Sequence, residues 1–165
     1  MTDLLLVHIL PAAFSLLLPS MASTRATAML VAIAMQESGI RDRQQLGGPA
    51  RGFWQFEKAG VRAVLDHARS GVLIATALRI LRYDVAMPAS AIHAAIEHND
   101  VLAACFARCL LWTDARTLPL PHEHEAAWAI YVETWRPGKP RRDSWHQCYT
   151  DAWNRARVPL PGMRA

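Results

Sequence analysis

The residues best suited to chemistry lie within one stretch, AMQESGIRDRQQLGGPARGFWQFE, which covers residues 34–57. It places a glutamate, Glu37, at the end of an otherwise apolar helical pattern. Three apolar residues precede Glu37 by four, seven and eleven positions: Ile33, Leu30 and Ala26. Residues at these spacings share one face of a helix, so the carboxyl group continues a line of core side chains. A carboxyl group in that position is costly unless its burial serves a purpose.

Two effects are expected to raise the pKa of Glu37. Partial burial disfavours the carboxylate. Gly39 is well placed to end the helix, which puts Glu37 in the last turn, where the negative end of the helix dipole also disfavours an anion. A carboxyl group with a raised pKa can act as a general acid near neutral pH. The alternative is a helix-end glutamate that reaches solvent or pairs with Arg41 or Arg43.

The residues after this helix are typical of a tight turn followed by a sugar-binding wall. The segment LGGPARGFWQF, residues 46–56, has three glycines and a proline among its first seven residues, which indicates close approach of the backbone. Phe53, Trp54 and Gln55 follow. Aromatic faces stack on sugar rings and an amide reads hydroxyl and acetamido groups, so we expect Trp54 to lie in a substrate cleft. The alternative is a small aromatic core with Gln55 at the surface.

Helices must position these residues. Periodicity and capping signals predict helices near residues 3–18, 23–38, 58–69, 71–84, 88–97, 99–113, 123–136 and 143–157. Only residues 52–56 are predicted to be extended. The sequence has no internal repeat, no Gly-rich phosphate loop and no alternation of strands and helices. We therefore predict a mainly α protein with a short irregular or β-like lobe after the helix that carries Glu37.

The composition indicates one folded domain over residues 1–165. Apolar content of 52% and charged content of 19% exclude a disordered tail or a fibre. Residues 1–20 are predicted to form an N-terminal amphipathic helix, because the apolar run has no basic start and is split by Pro11. The segment PSMAS resembles a cleavage site, which leaves a weak export signal as the alternative. Residues 136–165 form a basic segment, with seven basic and two acidic residues, and we expect it to pack on the domain.

Two of these segments carry a resemblance to a known family. The ESG of residues 37–39 and the ARGFWQ of residues 50–55 resemble the lysozyme-like lytic transglycosylases. In that family a Glu-Ser pair ends a helix, and a Gly-aliphatic-Met-Gln turn follows. Phe53 and Trp54 replace the aliphatic residue and the methionine in this chain. The resemblance is specific over residues 26–57.

A later Tyr-Asn-Gly-type segment of that family has a tyrosine that faces the catalytic glutamate. Tyr131 matches this tyrosine, whereas Val132 departs from the asparagine. The resemblance implies a single lysozyme-like domain without cofactor or metal, in which Glu37 is the catalytic residue. The substrate-binding residues expected from the resemblance, and from the place of Glu57 after the aromatic run, are Ser38, Gly52, Phe53, Trp54, Gln55, Glu57 and Tyr131.

The resemblance also implies a reaction, cleavage of the β-1,4 bond between N-acetylmuramic acid and N-acetylglucosamine. Glu37 would protonate the glycosidic oxygen, and the acetamido group of the substrate would stabilise the developing charge. Glu37 would then take a proton from the muramyl 6-hydroxyl as an anhydro sugar closes. This route needs one carboxyl group, whereas an ordinary hydrolase needs two. The candidates for a second carboxylate are Asp42, Glu57 and Asp66, of which Asp42 lies between two arginines and favours an ion pair.

Other conspicuous residues are interpreted as structural. Cys105 and Cys109 lie one turn apart on an apolar helix and are predicted to be buried free thiols, because a zinc site with Cys148 or a histidine would lack the usual spacing. His122 and His124 stand at a helix start without the four-residue gap of a two-histidine metal site. Tryptophans with spacings that suit a core are Trp112, Trp128, Trp135, Trp145 and Trp153.

The expected partner is the glycan strand of peptidoglycan. The basic C-terminal segment suits an additional contact with an anionic membrane surface, and we expect no nucleic acid and a monomer. The protein would be made in the bacterial cytoplasm and would act on the periplasmic wall, as a phage lysis factor or a virion-associated protein. One alternative is a hydrolytic muramidase. Another is a non-enzymatic lysozyme-like virion module, and the departures from the family pattern at Phe53, Trp54 and Val132 favour this second alternative. A third alternative is a basic DNA-handling protein, which would bind duplex DNA with an affinity that falls steeply as the salt concentration rises.

Overall fold

The computed structural model describes residues 1–157 and is mainly helical. Its helices are α1 (Thr2–Leu4), α2 (Leu10–Ser15), α3 (Thr24–Ser38), α4 (Lys58–Asp66), α5 (Ala68–Ile80), α6 (Ala89–His98), α7 (Asp100–Trp112), α8 (His124–Trp135) and α9 (Arg142–Ala156). A π-helical turn covers Leu5–Ile9 and a 3₁₀ turn covers Pro19–Met21. The prediction of a mainly α protein is confirmed, and the helix ends differ from the predicted ones by at most four residues.

The N-terminal helical segment is continuous through Pro11 because the turn before it widens. Proline has no N–H and its ring crowds the carbonyl of the preceding turn. The chain meets this demand with a π turn, in which the Leu10 N–H bonds to the carbonyl of Leu5. The inner side of the segment is buried in the core, whereas Val7 is 40% exposed on its outer side. The segment therefore buries one side, and its exposed side includes the apolar residues Leu4 and Val7.

Helix α3 has clear signals at both of its ends. The hydroxyl of Ser23 accepts a hydrogen bond from the Ala26 N–H at 3.1 Å, which caps the first turn. Gly39 adopts the left-handed conformation, with φ of 61°, and its N–H closes the last turn on Met35. The predicted end at Gly39 is confirmed. Glu37 therefore lies in the last turn of α3.

Helices α3 and α7 form the centre of the core. All residues from Met29 to Ala34 are buried, and so are all residues from Leu102 to Leu111. Helix α9 packs along α3, and α2, α4, α5, α6 and α8 surround α7. Cys105 and Cys109 of α7 are buried free thiols, as predicted, and burial raises the pKa of each to about 12. Both groups therefore stay protonated at neutral pH.

Residues 40–57 form an irregular lobe rather than a sheet. The part of the chain that the structure describes contains isolated bridges from Arg51 to Gln44 and to Phe56, but no strand. The prediction that residues 52–56 are extended is wrong. They form a turn in which the Gln55 N–H bonds to the Gly52 carbonyl at 2.9 Å, because both residues adopt positive φ values. This turn brings Arg51 and Phe56 together as backbone partners.

Two ion pairs attach this lobe to the helical body. Arg43 donates two hydrogen bonds to Asp100 at the start of α7, both of 2.7 Å. Arg51 lies 2.7 Å from a carboxylate oxygen of Glu97 on α6. A bidentate pair of this kind fixes orientation as well as distance. The lobe is thereby held beside the end of α3.

The basic C-terminal segment begins with the loop after α8 and continues into α9, which packs on α3 and α8. The rest of that predicted segment, residues 158–165, lies outside the described residues. None of the helices in residues 1–157 has the length and apolar character that a membrane crossing requires.

Candidate functional site

Glu37 forms a hydrogen bond with the one tyrosine that the sequence predicts to face it. The hydroxyl of Tyr131, on α8, donates to Oε1 of Glu37 at 2.5 Å. The ring of Tyr131 is buried and stacks on Trp145 of α9, with 4.9 Å between centroids and 8° between planes. Trp128 packs on the same ring at 5.5 Å. Packing on both neighbours fixes the direction in which the phenol points.

Burial is the main cause of a raised pKa at Glu37. The hydrogen bond from Tyr131 and the charge of Arg141 both lower this pKa, because each favours the carboxylate, and the negative charge of Glu57 raises it. The balance is a pKa above the usual range of a glutamate. The pKa of Tyr131 is itself raised, mainly by burial. Its hydroxyl therefore keeps its proton and acts as a donor.

The carboxyl group of Glu37 lies where two open clefts meet. One is a groove of about 1350 Å³ that runs past Gln55, Glu57 and Tyr131. The other is a cleft of about 770 Å³ beside the loop that contains Leu46. The residues that line both are Glu37, Gln45, Gln55 and Arg141. Glu37, Gln55 and Tyr131 thus meet at one groove, and the half-buried carboxyl group faces it.

Gln55 reaches the groove from the turn of the irregular lobe. Its φ of 47° is in the left-handed region, which is uncommon for a residue with a side chain. Its amide nitrogen donates to the carbonyl of Gly52 at 2.8 Å and to that of Asp42 at 3.2 Å. These bonds orient the amide and leave its oxygen as the group available to a ligand.

The prediction that Trp54 lies in a substrate cleft is wrong. Phe53 and Trp54 are both 0% exposed, so neither ring can stack on a sugar. The indole N–H of Trp54 donates to the carbonyl of Leu30 at 2.8 Å, and the Trp54 carbonyl accepts from the indole of Trp135 at 3.0 Å. Apolar area and satisfied polar groups make this a core position, which is the alternative that the sequence left open. The two aromatics attach the lobe to α3.

Gly52 and Ser38 are also structural in their contacts. A Cβ atom on Gly52, whose φ is 71°, would lie 2.9 Å from the side chain of Ile96, and Gly52 does not line either cleft. Ser38 lines the smaller cleft, but its hydroxyl bonds to the carbonyl of Phe53 at 2.8 Å. Of the predicted substrate-binding residues, those that line the clefts are Ser38, Gln55, Glu57 and Tyr131.

The three candidates for a second carboxylate differ in position. Glu57 is exposed, lines the larger groove and is close enough to Glu37 to raise its pKa. Asp42 lines the smaller cleft, and its neighbour Arg43 pairs with Asp100 rather than with it. Asp66 ends α4 and lines neither cleft.

Arg141 is a site residue that the sequence did not single out. It lines both clefts, and its guanidinium donates to the main-chain carbonyl of Gln36. The buried side chain of Gln36 returns a bond to the Arg141 carbonyl at 2.7 Å and accepts one from the Ser144 hydroxyl at 2.9 Å. A glutamine beside Glu37 inside an apolar helix was a signal of such a network, but its partners lie 105 and 108 residues away in sequence.

Of the two histidines predicted to be structural, His124 has a packing contact, whereas His122 is exposed. The ring of His124 stacks on that of His146, with 3.9 Å between centroids. His93 bonds to the Phe56 carbonyl at 2.8 Å. Within residues 1–157, no group of three or more histidine, cysteine, aspartate or glutamate side chains could hold a metal ion.

Comparison of the chain with models of known protein families, with curated proteins and with solved structures found no match. The function is therefore inferred from the geometry of the site together with the sequence motifs at residues 37–39 and 50–55.

Proposed function

We propose that the protein cleaves the β-1,4 bond between N-acetylmuramic acid and N-acetylglucosamine in peptidoglycan, as a lytic transglycosylase with a lysozyme-like architecture. The observation that carries the proposal is the hydrogen-bonded pair of Glu37 and Tyr131 at the junction of two open clefts. A groove of about 1350 Å³ exceeds the usual size of a site for a single small molecule and suits a segment of a polymer. In a glycan strand bound along both clefts, Glu37 lies beside an internal bond of the strand and not beside its end.

In the first step Glu37 acts as an acid. Burial raises the pKa of its carboxyl group and so favours the protonated form, which a proton donor requires. The proton moves to the glycosidic oxygen as the bond from that oxygen to C1 of the muramyl residue breaks. The carbonyl oxygen of the sugar's own acetamido group bonds to C1 and takes up the positive charge.

In the second step Glu37 acts as a base, and Tyr131 supports that role. The phenol donates a hydrogen bond that stabilises the carboxylate left by the first step. The carboxylate takes the proton of the muramyl 6-hydroxyl, whose oxygen bonds to C1 and displaces the acetamido oxygen. Glu37 regains its proton and the strand is left with an anhydro end. Opposed influences on the pKa of Glu37 suit a group that serves in both forms.

A hydrolytic muramidase is the second candidate, and the position of Glu57 favours it. Glu57 is a second carboxylate in the groove of Glu37. It could activate water or attack the sugar, as the second acid of an ordinary glycosidase does. Its exposure, and its place before the first residue of α4, also agree with a helix-start residue without a chemical role.

Mass analysis of the products tests the proposal. Purified peptidoglycan is incubated with the wild-type protein, with Glu37→Gln and with Glu57→Gln as the matched carboxylate control. We expect anhydro-muramyl ends from the wild type and from Glu57→Gln, and no products from Glu37→Gln. Reducing ends that disappear in Glu57→Gln would instead identify a muramidase. No products from folded wild type would contradict both and support a glycan-binding module without activity.

The proposed reaction fits a phage lysis factor or a virion-associated protein that opens the wall. Such a protein would be made in the bacterial cytoplasm and would act on the periplasmic wall. The mildly basic chain, with a net charge of +4, suits an anionic polymer as its partner.

A further inference from the structure

Three cationic side chains line the groove from the loop between α8 and α9. This basic loop covers residues 136–141, and its cations are Arg136, Lys139 and Arg141. Arg136 ends α8 in the left-handed conformation, with φ of 48°, which turns the chain along the groove. The loop is short and both of its ends continue into helices, so its position beside Glu37 is defined by the fold.

The cations of the basic loop form no salt bridge within residues 1–157. The next residue, Arg142, differs: it pairs with Glu125, lies 4.9 Å from the centre of the Trp128 ring and does not line the groove. Arg141 instead bonds to the Gln36 carbonyl, which holds its guanidinium at the groove. A cation that is oriented but has no ion-pair partner there is suited to bind an anionic ligand.

The rest of the groove narrows the chemistry of that ligand. Acidic side chains line it as well: Glu57, Asp114 and Glu133. Asp114 and Glu133 pair with Arg116, whereas Glu57 forms no salt bridge within residues 1–157, and the charge of Glu57 disfavours a polyanion such as nucleic acid. A ligand with carboxylates at defined points on a largely neutral chain would match, and the peptide-substituted glycan of a bacterial wall is such a ligand.

We propose that the basic loop binds the carboxylates of the stem peptide attached to the sugar strand in the groove. The proposal rests on the proposed function, because it assumes that the strand lies along Glu37. Recognition would then extend beyond the sugars. Strands that carry stem peptides would be bound, and cut, in preference to bare strands.

Occupation of the loop would also affect the chemistry. The charge of Arg141 lowers the pKa of Glu37 in the protein alone, which opposes proton donation. A carboxylate bound to Arg141 offsets that charge and favours the protonated acid. A substrate with stem peptides would therefore keep Glu37 active to higher pH than a bare strand. The contact that selects the substrate would thus also prepare the acid.

The test compares two substrates and two double variants. The substrates are glycan strands with intact stem peptides and the same strands after their removal by an amidase. Arg136→Gln/Lys139→Gln removes two loop charges, and Arg62→Gln/Arg69→Gln removes two exposed charges outside the groove as the control. Binding is measured by calorimetry with each double variant in a Glu37→Gln background, and cleavage with Glu37 intact.

For the protein with a native loop, we expect affinity for stem-bearing strands roughly 5-fold above that for bare strands, the scale of two exposed ion pairs. The loop variant should lose most of this preference and keep its affinity for bare strands. The control should keep both. Cleavage of stem-bearing strands should also persist to higher pH than cleavage of bare strands.

The inference is overturned if the native loop shows no preference, or if both double variants lose the preference equally, since the effect would then be one of net charge. Failure to bind either strand overturns it as well. Equal cleavage of both substrates, with anhydro ends, would leave the proposed function intact while contradicting the role of the loop. Preferential binding of stem-bearing strands without cleavage would support the role of the loop and contradict the proposed function.

Discussion

The substitution Tyr131→Phe tests the pairing of Glu37 with Tyr131 most directly. It removes the phenol oxygen that lies 2.5 Å from Oε1 of Glu37 and leaves the ring that stacks on Trp145 at 4.9 Å. The fold should therefore be retained. The hydrogen bond lowers the pKa of Glu37, so its loss should raise that pKa further.

The expected size follows from the type of bond. A hydrogen bond to a charged group contributes about 1.5–3 kcal/mol, and water at the open groove would replace part of it. A net loss of about 1.4 kcal/mol corresponds to a roughly tenfold lower ratio of carboxylate to acid at a fixed pH. The high-pH limb of activity, where the acid form becomes scarce, should move to higher pH. The maximal rate should fall, because the carboxylate that serves as base in the second step is less stabilised.

The assay is the initial rate of peptidoglycan clearing as a function of pH, together with an NMR titration of the Glu37 carboxyl carbon. Tyr149→Phe is the matched control, because Tyr149 belongs to the same aromatic stack but donates to the carbonyls of Pro119 and Leu120. The control should titrate like the wild type. If Tyr131→Phe leaves the Glu37 titration unchanged, or shifts it to lower pH, the assigned role of the phenol is refuted.

Three further substitutions test the energetics of the site. Glu37→Gln should be more stable than the wild type at neutral pH. The folded-state pKa of Glu37 lies above its unfolded value of about 4.3, so the wild type loses stability as pH rises from the unfolded pKa through the folded-state pKa. Thermal melts should converge in acid, and a constant difference at every pH would contradict the burial of the carboxylate. Trp54→Ala should lower the free energy of unfolding by about 3–5 kcal/mol in urea titrations. If this variant instead has the stability of the wild type and binds glycan more weakly, Trp54 contacts the ligand and is not a core residue. Gly52→Ala should cost about 1–3 kcal/mol, and more than Gly47→Ala, because both have positive φ but only the Cβ at position 52 would meet Ile96. Equal losses of stability in Gly52→Ala and Gly47→Ala would show that the contact with Ile96 does not contribute.

Local patterns in the sequence were sufficient to find the helices and the position of Glu37. Apolar spacing placed this carboxyl group on the inner face of α3, and Gly39 marked the end of the helix, because periodicity and capping act within a few residues. The mostly helical fold follows from the same signals. The match of Tyr131 to the family pattern also led to the correct partner of Glu37.

The tertiary structure alone decided what surrounds that carboxyl group. Aromatic residues in a turn suit a cleft wall and a small core equally well, and only the packing of the lobe on α3 buries Trp54. Arg141 reaches the groove because α9 packs on α3, which joins residues 105 positions apart through Gln36. No local pattern encodes such a contact, since it depends on how whole helices pack. The sequence by itself determined which residue could be the acid, and the packing determined the neighbours that set its pKa and the groove that it faces.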